Sequence, residues 1–239
     1  MKILAIDTTA KTAAAAITDG EKLLASATLN TPSTHSVTML PTVEMLLKSA
    51  GITTSEIDIF AISAGPGSFT GVRIGVSLVK GLAFGRKQAC IGVSSLEALA
   101  RNMVSTDGLI CPVMDARRNQ LYNALFYAKD GKLKRITEDR LISAQALGEE
   151  LKERRGKRRI YFVGDGYSIV ERELADLGAR ATPDFLRWQN GYSVAMVALA
   201  KYTETEDKSR FTAASLAPVY LRASQAERER AEKMKQTGR

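Results

Sequence analysis

Two aspartates are the first residues of this chain placed to do chemistry. Asp7 ends the apolar run Ile3–Ile6 and opens the turn Asp7-Thr8-Thr9-Ala10. Asp115 ends the run Leu109–Met114 and opens Asp115-Ala116-Arg117-Arg118-Asn119. A strand that ends in aspartate and reverses through a short turn can wrap phosphates, provided backbone N–H groups approach them closely. The first turn is small enough for that. In the second, Arg117 and Arg118 attract anions as side chains but crowd the place where backbone should touch them. Asp7, Thr8, Thr9 and Asp115 are therefore weak candidates for nucleotide contact, and a carboxylate-only site of Asp7 and Asp115 is the best remaining catalytic option. The expectation is no catalytic residue and no resident cofactor or metal.

Other chemistries lack their residues. The chain has one histidine, His35, so a metal site built on two histidines one helical turn apart cannot form. No serine sits in a Gly-x-Ser-x-Gly elbow, and His35 lies in a polar loop before a helix, where a capping or surface role is ordinary. Ala64-Gly65-Pro66-Gly67-Ser68-Phe69-Thr70-Gly71 leads into a helix whose N-terminus could bind an anion. Without a P-loop lysine, it reads as a tight turn with Ser68 or Thr70 as N-cap. Gly164-Asp165-Gly166 reads the same way. Lys152–Arg159 carries six basic residues around Gly156. It could touch RNA phosphates. No aromatic residue interleaves to stack bases, so a solvated turn with weak, unspecific RNA contact is expected.

The elements that carry these residues occur twice. Ile3–Ile6, Thr12–Thr18 and Lys22–Leu29 read as strands, with Asp19-Gly20 as a hairpin turn. A helix follows from Ser36 to Ala50, with Met39, Val43, Leu46 and Ala50 at helical spacing and Gly51 as its stop. Then come strand Ile57–Ile62, helix Val72–Phe84, strand Ala89–Val93 and helix Leu96–Met103. The order recurs as Leu109–Met114, Leu121–Ala128, turn Asp130-Gly131, Leu133–Leu141, helix Ala144–Arg154, strand Ile160–Val163 and helix Ile169–Leu177. Three meandering strands followed by alternating helix and strand predict a mixed sheet covered by helices. Two in tandem predict the duplicated α/β architecture of the actin/hexokinase/Hsp70 (ASKHA) superfamily. The expected lobes are residues 1–104 and 105–205. Residues 206–239, including a charged helix over Glu227–Lys235, are expected to pack back on the first lobe.

The whole chain of 239 residues is 45% hydrophobic and 25% charged, an ordinary globular composition, with a formal charge of +8. A basic balance favours polyanionic neighbours without proving one. Asp7 interrupts the first apolar run and no stretch is long enough to span a membrane, so neither a secretory signal nor a membrane is expected. Cys90 and Cys111 sit singly in apolar runs, as small core residues do in a reducing compartment. The expected location is the cytoplasm.

Helix Val72–Phe84 has more apolar surface than one sheet can cover. Its polar residues Arg73, Ser77 and Lys80 form one narrow stripe, and Gly71/Gly75 and Gly81/Gly85 would permit close helix approach. A helix on a sheet needs an apolar sector of only about 100°. The preceding helix adds Val37, Leu40 and Leu47 beside its core face. The surplus predicts a partner surface comprising Val37, Leu40, Leu47, Arg73, Val76, Ser77, Leu78 and Lys80. Burial under another part of the same chain is the alternative.

Four segments carry a resemblance. Ile3-Leu4-Ala5-Ile6-Asp7-Thr8-Thr9, His35-Ser36 through Leu40-Pro41, Ala64 through Gly75, and Pro218-Val219-Tyr220-Leu221-Arg222 together resemble the TsaB (YeaZ) family. The likeness spans essentially the whole chain, and Ala64–Gly75 is its most specific part. That family is similar to the catalytic TsaD family, in which a His-Met-Glu-Gly-His segment binds metal. Here Ser95 and Leu99 stand where the two histidines would be. The resemblance implies a non-catalytic subunit in threonylcarbamoylation of the tRNA adenosine next to the anticodon. It implies a TsaD-like catalytic paralogue and a TsaE-like ATPase as partners, and a homodimer through the same two helices in isolation. It also implies that tRNA is met indirectly, through the complex. The alternative is an ATP-binding kinase or ATPase of the same fold acting on its own.

Overall fold

A computed structural model describes residues 1–178 and 180–222. The first unit runs β1 (Lys2–Asp7), β2 (Ala13–Asp19), β3 (Lys22–Leu29), α1 (His35–Ala50), β4 (Ile59–Gly65), α2 (Phe69–Leu82), β5 (Ala89–Ser94) and α3 (Ser95–Arg101). The second runs β6 (Gly108–Asp115), β7 (Gln120–Asn123), β8 (Phe126–Lys129), β9 (Lys132–Arg135), β10 (Arg140–Ser143), α4 (Ala144–Arg155), β11 (Ile160–Val163), α5 (Tyr167–Glu173), β12 (Arg180–Ala181), α6 (Asp184–Arg187) and α7 (Gly191–Glu204).

The first sheet has the order β3-β2-β1-β4-β5, with β1–β2 and β2–β3 antiparallel and β1–β4 and β4–β5 parallel. The second has the order β10-β7-β6-β11-β12, with the same directions at equivalent places. This is the predicted duplication: two mixed-sheet lobes with flanking helices, in the actin/hexokinase/Hsp70 manner. The second lobe departs in one respect. The strands expected over Leu121–Ala128 and Leu133–Leu141 are each broken, giving the extra β8–β9 hairpin, whose β8 pairs with the start of β6. At the break, Ile136 N–H donates to the Leu125 carbonyl, and Leu125 N–H donates to Thr137 Oγ1.

The central strands of the first lobe read as continuous apolar runs because both their faces are buried. One face packs under α1 and α2 through Leu4, Ile6, Phe60 and Ile62, with Met39, Val43, Val72 and Val76 above them. The other, through Ile3, Ala5, Ile59 and Ile91, packs under α7 through Val194, Ala195 and Ala198. Sequence order assigned α7 to the second lobe, whereas it covers the first sheet. Its first residue, Gly191, lies so close to β2 that a Cβ there would come within 2.4 Å of Ala15 backbone. The chain then stays on the first lobe through Phe211 and Leu216. The predicted helix over Glu227–Lys235 lies outside the described residues.

Helix α3 joins the lobes. Ala98 faces the first sheet, while Leu96, Leu99 and Ala100 pack with Ile110, Met114 and Phe126 of the second. Among the described residues, no helix is long and apolar enough to cross a membrane.

Candidate functional site: the interlobe cleft and the α1–α2 face

A cleft of about 860 Å³ opens between the lobes, lined by both aspartate turns, by the 67–71 loop and by residues 219–222. The two turns behave differently. Asp7 is only 1% exposed. Ser63 Oγ donates to its Oδ2 at 2.6 Å, and Thr9 donates to its Oδ1 from both backbone N–H (2.9 Å) and Oγ1 (2.7 Å). Burial pushes the Asp7 carboxyl above its usual range, and those three hydrogen bonds pull it back. The carboxylate is thus spent on holding its own turn.

The 67–71 loop closes over that turn. Ser68 N–H donates to the Thr9 carbonyl at 2.6 Å, and Thr8 Oγ1 donates to the Gly71 carbonyl at 2.7 Å. A Cβ on Gly67 would lie 2.4 Å from Thr9 O, and one on Gly75 would lie 2.3 Å from Thr8 Oγ1. Gly71 and Gly75, expected to let a second helix approach α2, instead admit the chain's own first turn. Ser68 caps α2 by accepting from Gly71 N–H at 3.3 Å, the first of the two N-caps expected for this turn. Asp7 and Thr8 therefore face into the protein, and Thr9 presents only part of its turn to the cleft.

The second turn is open. Asp115 Oδ1 accepts from Arg117 N–H at 2.7 Å, and Arg117, Arg118 and Asn119 all take left-handed backbone, with φ of 65°, 55° and 56°. Such conformations favour glycine, because a Cβ crowds the following carbonyl. The Arg117 side chain is 85% exposed, so it rims the cleft rather than filling it. Below it, Asp165 Oδ1 sits 3.4 Å from Asp115 N–H. Burial first, and then the Asp115 charge, raise the Asp165 carboxyl to about 6, against the opposing pull of that N–H and of Arg117. In the sequence Gly164-Asp165-Gly166 reads as a turn only. Its position after β11, equivalent to the 65–67 turn after β4, was the available signal.

His35 begins α1, and its Nε2–H donates to the Ala10 carbonyl at 2.7 Å, tying the helix to the first turn. Ser95 is fully buried and donates to the Pro66 carbonyl, and Leu99 is 1% exposed in the interlobe core. Among the described residues, no three His, Cys, Asp or Glu side chains converge as a metal site would require.

Residues 217–222 form a strap across the cleft. Val219 N–H donates to the Ala64 carbonyl at 2.7 Å, and Arg222 donates to the Ala116 carbonyl at 2.8 Å, so the strap touches both lobes. Val219 and Leu221 also line a second cavity, of about 760 Å³, on the strap's other side. The Tyr220 ring stacks 4.4 Å from Phe69, and Arg73 lies 4.0 Å above Phe69 while its Nε donates to Tyr220 Oη at 2.9 Å.

The expected partner surface is partly corrected. Leu47 and Val76 are 8% and 4% exposed and belong to the first lobe's own core, because α1 and α2 lie on the sheet through those positions. Arg73 is exposed but engaged by Tyr220, Ser77 is exposed, and Leu78 and Lys80 are half-buried. Val37 and Leu40 stand out at 68% and 43% exposed. Met45 and Phe84, which the periodicity did not single out, are exposed as well, at 52% and 86%.

The family profile described as TsaD, tRNA N6-adenosine threonylcarbamoyltransferase, matches residues 23–230. The tRNA threonylcarbamoyladenosine biosynthesis protein TsaB of Bacillus subtilis (strain 168) is 35% identical over 228 residues, covering 95% of this chain and 96% of that one. TsaB of Escherichia coli (strain K12) is 36% identical over 124 residues, 51% of this chain and 53% of that one. The solved structure of YeaZ from Pseudomonas aeruginosa superposes with a TM-score of 0.74 at 24% identity, covering 92% of this chain and 99% of that one. Two actin-like lobes around a strapped cleft, matched by the TsaD profile, define the class as TsaD-like. Within it, the chain belongs to the TsaB (YeaZ) family of tRNA threonylcarbamoyladenosine biosynthesis proteins.

Proposed function

We propose that the chain is a non-catalytic partner subunit that supports a TsaD-like catalytic paralogue in threonylcarbamoylation of tRNA, in the cytoplasm and alongside a TsaE-like ATPase. The observation that carries this reading is the contrast between its two surfaces. Of the positions that could serve catalysis, Asp7, Thr8, Ser95 and Leu99 are packed against the chain itself, and Asp115, which accepts from Arg117 N–H in its own turn, faces the cleft. The α1–α2 face instead presents Val37, Leu40 and Met45 to solvent. Exposed apolar side chains grouped on one helix are what a protein partner would cover. In isolation the same face pairs two copies of the chain.

Mixing the chain with a TsaD-type catalytic protein and following complex mass tests the reading. A defined heteromeric complex that Val37→Asp prevents is the expected result, and no complex with or without nucleotide would end the proposal. The second reading, a self-sufficient ATP-binding enzyme, draws on the cleft of about 860 Å³ between the two aspartate turns. It requires Mg-ATP to bind the isolated chain. Calorimetry on the chain and on Asp115→Ala is expected to show no heat of binding.

A further inference from the structure

We infer that the second lobe carries an RNA-backbone docking surface, built by the β8–β9 hairpin together with the loop that follows α4. The inference rests on the proposed function and deepens it, since it has the chain touch RNA directly and not only through its partner.

Three segments distant in sequence meet here. The β8–β9 register sets Tyr127 opposite Lys134 and Lys129 opposite Lys132, so all four side chains share one face of the ladder. The start of β6 pairs with β8, Leu109 opposite Tyr127, and on its other side with β11, Ile160 opposite Leu109. That brings the loop of Lys157, Arg158 and Arg159 alongside, with Leu109 N–H donating to the Arg159 carbonyl at 2.9 Å. Arg158 closes the join, its guanidinium 4.5 Å above the Tyr127 ring.

The tertiary structure sorts the basic run into two sets. Lys152 pairs with Asp176 at 3.0 Å, Arg154 with Glu150 at 2.5 Å, and Arg155 donates to the Leu177 carbonyl at 2.6 Å. Lys129, Lys132, Lys134, Lys157, Arg158 and Arg159 are all exposed, and none forms an ion pair among the described residues. The acids closest in sequence, Asp130, Glu138 and Glu153, form no ion pair among the described residues, and Asp130 N–H donates to Asp107 at 3.2 Å.

Lysines on an edge strand also guard against strand pairing, but that role does not explain a second set of unpaired cations on the adjoining loop. Lys132 and Lys134 stand about 6.6 Å apart along the strand, comparable to the step between successive phosphates of one RNA strand. The aromatic residue missing from the basic run is supplied across the sheet by Tyr127, beneath an arginine plane on which a base can stack. Beside the six cations the one exposed large apolar side chain among the described residues is Ile136, at 36%, too little apolar surface to enter a lipid layer.

The test is fluorescence anisotropy with a labelled, unmodified tRNA transcript across a salt series, using the full chain alone and in complex with a TsaD-type protein. K132E/K134E is compared with K22E/K87E, which makes the same charge change on the first lobe. The expected result is an affinity loss of about tenfold or more for K132E/K134E, with the salt slope shallower by about two, and a much smaller change for K22E/K87E. Equal losses for the two pairs would reduce the effect to net charge and overturn the proposal. Unchanged affinity of K132E/K134E, or binding to phosphatidylserine vesicles without binding to tRNA, would overturn it too. Failure of the functional reading shows separately, as no complex with the catalytic protein whatever the RNA result.

Discussion

Thr8 and Gly71 lock together the first turn and the start of α2: Thr8 Oγ1 donates to the Gly71 carbonyl at 2.7 Å, and a Cβ on Gly71 would fall 2.0 Å from the Thr8 carbonyl. The neighbour is backbone on a fully buried turn, so it has no flexible end to swing away. Gly71→Ala is expected to destabilise the chain by on the order of 2 kcal/mol or more, lowering Tm by about 4–8 °C. Gly81, on the same helix, has nothing within 4 Å of its would-be Cβ. Gly81→Ala should leave Tm unchanged or raise it slightly, since alanine is the better helix former. Thermal melts of the two variants side by side decide the point.

Val37 and Val76 are the paired test of the α1–α2 face. Val37 is 68% exposed and Val76 is 4% exposed in the core. Val37→Asp should therefore shift stability by no more than about 0.5 kcal/mol while preventing association, read as mass by light scattering. Val76→Asp buries a charge without a partner and should unfold the first lobe. Association that survives Val37→Asp would free this face from its assigned role.

The raised carboxyl of Asp165 makes a pH prediction with a definite sign. Its folded value of about 6 stands above the ordinary 3.8. The folded state therefore holds this proton more tightly than the unfolded chain, and the contribution falls as pH rises from about 4 to about 6. Asp165→Asn keeps an acceptor for Asp115 N–H and removes the charge. The variant is expected to be more stable than the parent at pH 7, by on the order of 2 kcal/mol, with the gap closing as pH falls towards 4. Urea melts at both pH values measure it, and a gap that does not change with pH would remove Asp165 as its source.

The strap should report on lobe closure. Arg222 reaches the Ala116 carbonyl while Tyr220 stacks on Phe69, so the strap couples the first lobe to the open turn. Tyr220→Ala should cost about 1 kcal/mol of stability and speed amide exchange in Ala116–Gln120, away from the substitution. Hydrogen exchange confined to the strap itself would show that the two lobes hold their angle without it.

Much of the fold was legible from one dimension. The runs Ile3–Ile6 and Leu109–Met114, each ending in aspartate, the turn at Asp19-Gly20 and the 3.6-residue spacing of Met39, Val43 and Leu46 depend on local propensity and on the period of burial. Both are properties of consecutive residues. The single histidine, and the resemblance that sets Ser95 and Leu99 where the TsaD family's two histidines would be, likewise needed no coordinates. The candidate site was harder to read. By its place at a strand end Asp7 reads as a ligand-facing carboxylate, whereas in the fold Ser63 and Thr9 take up its oxygens.

Sequence alone thus determined the repeated strand-and-helix order, the lack of a second histidine for a two-histidine metal site, and the family. Only tertiary structure decided that α7 returns to the first sheet, that Leu47 and Val76 are core, that Tyr220 engages Arg73, and which cations of Lys152–Arg159 stay unpaired. Those outcomes depend on which distant surfaces meet, and meeting is settled by the packing of whole elements, where periodicity carries no information about the partner.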